Sequence, residues 1–173
     1  MQSSIDRLSP TRALGSAQRY LTFRLADETY AVRVLGVQEI LRLPPITWLP
    51  QLPAHLRGVL NLRGRIIPVI DMRQRFGLAS VADNARTCVV VVQVESAQRG
   101  KLHMGLVVDA VEEVVQIPDE EIAATPEFGG AVDTAFLVGI AKIKGSVTAL
   151  LDLNRVLTGD QLDATVALAA SAN

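Results

Sequence analysis

GVLNLRGRIIPVID, residues 58–71, is the stretch on which the fold turns. Val59, Leu60 and Leu62 precede the dipeptide Arg63-Gly64, and Ile66, Ile67, Val69 and Ile70 follow it. Two short apolar runs around a glycine-containing pair read as a tight β-hairpin. Asn61, Arg63 and Arg65 then gather at its tip. Pro68 cannot donate to a ladder, so it marks an edge or a bulge. Asp71 is placed to cap a short helix, MRQRFG, and Gly77 to end it.

Residues 139–157, GIAKIKGSVTALLDLNRVL, repeat this pattern. Gly58 falls on Gly139, Arg63 on Lys144, Gly64 on Gly145 and Asp71 on Asp152. The upstream stretches also superpose: YAVRVLGVQEIL (30–41) lies on MGLVVDAVEEVV (104–115), which puts Glu39 on Glu113. Glycine, base and aspartate in one order imply a duplicated unit, about residues 19–77 and 87–158. Each copy offers four or five short strands and a small helix. Strands this short with little helix favour small closed barrels, here an all-β pair related by a pseudo-two-fold with a groove between them.

Further upstream, RYLTFRL (19–25) alternates with period two, as a half-buried strand does, and YAVRV follows after a turn. Val37, Ile40 and Leu41 stand at helical spacing, as do Val111, Val114 and Val115 behind a candidate cap, Asp109. A helix is expected at each place. A leader is expected over 1–18, a loop over about 118–134 and a helical tail over 159–173. Within 19–158 the barrels are expected at about 19–86 and 87–158, with room for strand or helix exchange.

Hydrophobic residues form 49% of the 173 and charged residues 20%, which excludes a disordered chain. A net charge of −1 provides no global field for nucleic acid or anionic lipid. Cys88 is the single cysteine, so neither an internal disulfide nor a cysteine zinc site is available. It reads as a buried small hydrophobe in a valine-rich strand. The N-terminus lacks a secretory pattern and no run approaches a membrane span, so the chain reads as cytosolic.

No catalytic constellation appears. His55 and His103 have no metal-ligand spacing, and no metal or cofactor is expected. Glu112-Glu113 and Asp119-Glu120-Glu121 are local acids that read as solvated charge. Trp48, among prolines, reads as a loop anchor. With 4% aromatic residues the chain offers few stacking platforms for bases, so a small-barrel nucleic-acid binder is the alternative from another class.

VQEI (37–40), GVLNLRGRIIPVID and TPEF followed by FLVGIAKIKG resemble the CheW family of bacterial chemotaxis coupling proteins, from about Tyr20 to Leu157. The resemblance implies two SH3-like five-stranded barrels and no catalysis. It implies an adaptor between chemoreceptor cytoplasmic tips and the regulatory domain of the histidine kinase CheA, cytoplasmic and recruited to membrane-associated arrays. Adaptors of related pathways such as pilus motility share the pattern, and self-association in rings is left open. Receptor contact falls on Val37, Glu39 and Arg63, with the receptor helix in the groove between barrels. Kinase contact falls on Glu127 and Phe128, and Ala123 stands where some members carry a base.

Overall fold

The hairpin at the centre of the opening stretch closes through a two-residue turn in which both residues are left-handed, Arg63 at φ 53° and Gly64 at φ 84°. This is the backbone that a right-twisted hairpin demands. The Asn61 side chain holds the turn by accepting from the Gly64 N–H at 2.9 Å. Lys144 and Gly145 repeat the geometry at φ 53° and 83°. A basic residue therefore occupies a left-handed position twice, at a cost of about 1–2 kcal/mol each.

The computed structural model describes residues 17–51, 55–96, 100–124 and 134–157. The first half contributes β1 (Ala17–Leu25), β2 (Glu28–Arg33), β3 (Val37–Arg42), β4 (Leu56–Leu62), β5 (Arg65–Asp71) and helix α1 (Met72–Arg75). The second contributes β6 (Cys88–Ser96), β7 (Gly100–Val108), β8 (Ala110–Pro118), β9 (Leu137–Ile143), β10 (Ser146–Leu151) and helix α2 (Leu153–Val156). Among the described residues these strands form two five-stranded sheets, in the orders β9-β10-β2-β1-β8 and β3-β6-β7-β5-β4.

The sheets do not follow the sequence halves. In each, the opening hairpin of one half joins strands three to five of the other. Each hairpin is joined on one side by a parallel pair, β10 on β2 through Leu150 and Ala31 or β5 on β7 through Val69 and Gly105, and on the other by an antiparallel pair, β1 on β8 or β6 on β3. The barrels expected at about 19–86 and 87–158, with room for exchange, are two interleaved barrels, each completed by a hairpin from the other half. The leader also ends earlier than expected, because β1 begins at Ala17.

Each sheet is closed by a two-bond bridge. Thr47 and Val59 exchange N–H···O bonds of 2.8 and 2.9 Å, and so do Ala123 and Ile140. This explains the first glycine of the repeat. A Cβ on Gly58 would meet the Thr47 carbonyl oxygen at 2.3 Å, and one on Gly139 the Ala123 oxygen at 2.6 Å.

Three apolar clusters follow. Leu60, Ile67, Val69, Val89, Val91 and Val107 fill one barrel. Tyr20, Ala31, Ile117, Ala141 and Leu150 fill the other. The largest lies between them, where Leu21, Phe23 and Val32 meet Val90, Val92, Met104 and Leu106. Both faces of the central strands are therefore buried, including Tyr20 and Thr22, which alternation alone would place outside.

Further expectations are corrected. Val37–Arg42 and Ala110–Pro118 are strands, not helices. Val37 and Leu41, like Val111 and Val115, turn inward with the pleat, while Ile40 and Val114 face outward, 44% and 51% exposed; the β-branched content favours the strand. Asp109 caps nothing: its carboxylate accepts from Arg73 Nε at 2.8 Å and from the Ala26 N–H at 2.8 Å. Cys88 is half-buried at the start of β6, its thiol donating to the Arg86 carbonyl. Trp48 is 72% exposed and anchors no core. The expected tail over 159–173 lies outside the described residues.

Candidate docking surfaces

Glu39 is delivered by β3. Val37 pairs with Val92 and Glu39 with Val91, so Gln38 is an extra, bulged residue immediately before the glutamate. Bulges re-aim the side chains beside them. Arg63, at the tip of the β4–β5 hairpin, donates through Nη1 and Nη2 to the two Glu39 carboxylate oxygens at 2.9 and 2.8 Å. The fork-to-fork pair leaves Arg63 71% exposed. Arg63's hydrogen bonds hold the Glu39 carboxyl below its usual range despite partial desolvation. Beside them Arg65 lies 2.8 Å from His103 Nδ1. A guanidinium can only donate, so Nδ1 accepts. Burial, and then the Arg65 charge, hold the His103 imidazole below its usual pKa.

The duplication reproduces this surface on the other barrel. Thr22 pairs with Glu113 and Phe23 with Val111, which makes Glu112 the bulged residue before Glu113. Lys144 Nζ donates to Glu113 Oε1 at 2.9 Å. The sequence register that set Glu39 on Glu113 and Arg63 on Lys144 is therefore also a register of ion pairs. The copies differ in kind, a rigid two-point fork against a single mobile charge.

Asp71 and Asp152 are caps in both halves, accepting from Gln74 N and from Asn154 and Arg155 N respectively. Gly64 and Gly145 supply the turns. Val37 is half-buried against the central cluster. Ala123 is the closing bridge of its barrel. Glu127 and Phe128 lie outside the described residues. No cluster of potential metal ligands occurs among the described residues, and no helix there is long and apolar enough to cross a membrane.

The sequence did not single out a cleft of about 530 Å³ between the barrels. Its wall includes Arg33 and Leu35 at the β2–β3 crossing, Val138 on β9, and Asp152 and Asn154 at α2. By the repeat these answer to Val107, Asp109, Arg57, Asp71 and Arg73, all of which line the corresponding junction on the other side. That junction is shut. Arg73 grips Asp109, and the chain's own Val81, Ala82, Asp83 and Asn84 fill the space, leaving about 80 Å³. Asp83 accepts from Arg57 Nη1 at 3.1 and 3.0 Å, and Arg57 also binds Asp71 at 2.8 Å. In the open cleft Leu35 replaces Asp109 and is 87% exposed. Glu39 and Arg63 do not line the cleft; they lie in their own shallow pocket, reached from Leu35 along the first residues of β3.

The pattern of the CheW-like domain matches residues 19–161. The chain belongs to the CheW-like family. The chemotaxis protein CheW of Rhizobium meliloti is 31% identical over 83% of this chain and 90% of its own length. A probable chemotaxis protein CheW from Rhizobium etli is 34% identical over 88% of this chain and 96% of its own. Among solved structures, the scaffolding protein TtCheW from Thermoanaerobacter tengcongensis superposes with a TM-score of 0.75 at 32% identity, covering 84% of this chain and 96% of that one. The family is one of scaffolds and not of enzymes, and its two SH3-like barrels are the two closed sheets described above.

Proposed function

We propose that this CheW-like chain is a chemotaxis adaptor that joins chemoreceptor cytoplasmic tips to the regulatory domain of the histidine kinase CheA. The open cleft carries the reading. Its internal counterpart is filled by a polypeptide segment, and a groove walled by Leu35 and Val138 has the apolar anchors a docking helix needs. Val37 and the Glu39–Arg63 pair extend the receptor surface beyond the cleft. The exposed fork orients the partner more than it adds affinity. Glu127 and Phe128 provide the kinase contact. The adaptor works in the cytoplasm at membrane-associated arrays, where rings of the chain with its partners or with itself would propagate receptor state by geometry.

Titration of the full chain with a receptor-tip fragment, and separately with the kinase regulatory domain, tests this. Saturable binding to both is expected. Failure of both, with oligonucleotide binding that falls steeply with salt, would put the chain in another class.

A further inference from the structure

The duplication provides a template for what each position would be if nothing bound there, and the cleft departs from it at a directly opposed pair. Tyr20 on β1 pairs with Arg33 on β2, so the two side chains leave the sheet on one face. The matching cross-strand pair in the other barrel is Val89 and Val107, 0% and 5% exposed. Two valines have thus become a phenol and a guanidinium where the cleft opens.

Neither polar group is spent within the described residues. Tyr20 is 1% exposed, and its hydroxyl is buried without a hydrogen-bond partner. A buried polar group left so is costly, and proteins rarely keep one idle. Arg33 is exposed and makes no ion pair or side-chain hydrogen bond there. Its charged neighbours on the cleft wall are committed to each other: Asp152 caps α2 and lies 3.6 Å from Arg155. Among the described residues the cleft keeps one uncompensated positive charge. In the shut junction the filling segment brings a carboxylate, Asp83, onto an arginine, Arg57.

We propose that Tyr20 and Arg33 form an anion-reading subsite of the cleft. The segment that docks carries an Asp or Glu, which takes a charge-assisted bond from Arg33 and a hydrogen bond from the Tyr20 hydroxyl, while its apolar side chains rest on Leu35 and Val138. The pair thereby selects which helical register seats. This rests on the cleft being the receptor-docking site.

The test is calorimetric titration of the full chain with a receptor-tip fragment, for the wild type, Tyr20→Phe, Arg33→Gln and Leu35→Asp. Tyr20→Phe and Arg33→Gln are each expected to weaken binding about tenfold, the scale of one hydrogen bond to a charged group. Arg33→Gln should also flatten the salt dependence. Each acidic residue of the fragment is then changed in turn to its amide. One such change should cost wild type the same factor and cost Arg33→Gln nothing more. The subsite is overturned if no acidic position couples to Arg33, or if both polar variants bind as wild type while Leu35→Asp abolishes binding; the cleft would then dock its partner without it. If Leu35→Asp also binds as wild type, the docking reading itself fails and takes the subsite with it. A melting temperature for Tyr20→Phe at or above that of wild type separates lost recognition from lost fold, and the exposed Arg33→Gln carries the test if it is lower.

Discussion

Leu35 holds, in the first half of the chain, the position that Asp109 holds in the second. Asp109 is locked by Arg73 and by the Ala26 N–H, whereas Leu35 stands 87% exposed at the wall of the cleft. One ancestral position has become a clamp on one side of the molecule and an open apolar contact on the other. The clamp joins elements of both sheets, since Ala26 follows β1, Arg73 follows β5 and Asp109 links β7 to β8. It therefore fixes how the barrels sit while the opposite junction stays open.

Asp109→Asn should destabilise the chain by about 1–3 kcal/mol at neutral pH, because Arg73 and the Ala26 N–H lose their carboxylate. Burial pushes the Asp109 carboxyl up, but Arg73, the Ala26 N–H and Arg24 together bring it below its usual range. A depressed folded pKa means the stabilisation is full above the unfolded value, about pH 4, and is lost as pH falls through the folded one. Urea midpoints of the two proteins should differ at pH 7 and converge toward pH 2. Equal midpoints at pH 7 would show that the clamp contributes nothing.

The glycines of the repeat separate into two kinds with different predicted costs. Gly58→Ala and Gly139→Ala drive a methyl into a backbone oxygen of the closing bridge, so each should cost about 1–3 kcal/mol or more and disturb the barrel seam. Gly64→Ala meets nothing within 4 Å and pays only for its φ of +84°, about 1 kcal/mol. Denaturant midpoints order the three, and amide exchange at Val59 and Ile140 reports the seam.

Arg63→Glu sets two carboxylates against each other at the hairpin tip. Arg63 is 71% exposed and packs in no cluster, so the melting temperature should move little. Binding of a receptor-tip fragment should fall about tenfold or more, since like charge replaces an orienting fork. If the variant unfolds, the pair is structural and the site is misassigned.

Hairpins, caps and the duplication were legible because each is written locally. Arg63-Gly64 must turn, Asp71 must cap, and both recur at one spacing. The sequence left room for exchange between the barrels, but not which strands cross. The repeat shows that β1–β2 and β6–β7 are equivalent, but either sheet offers each of them the same apolar edge. The strands β3 and β8 read as helices because Val37, Ile40 and Leu41 form a helical stripe, whereas the pleat leaves Ile40 outward, 44% exposed. The cleft escaped for a different reason. What opens it are positions where the halves disagree, such as Leu35 for Asp109 and Asn154 for Arg73, and these carry no repeated mark.

His55 offers the last test, in the opposite part of the pH scale. It is 5% exposed, and its carbonyl accepts from the Asp71 N–H, which ties the chain ahead of β4 to the start of α1. Burial first, and the Arg75 charge second, hold its imidazole below the usual value. Below about pH 6.5 the unfolded chain takes up a proton that the folded chain refuses. Stability should therefore be full above that pH and decline as pH falls toward the folded pKa. His103 shifts the same way and adds to the slope. Urea midpoints between pH 7.5 and 5 should fall less steeply for His55→Gln than for wild type, and less steeply again when His103→Gln is added. Parallel curves for wild type and His55→Gln would mean that the imidazole charges as freely in the folded chain as in the unfolded one.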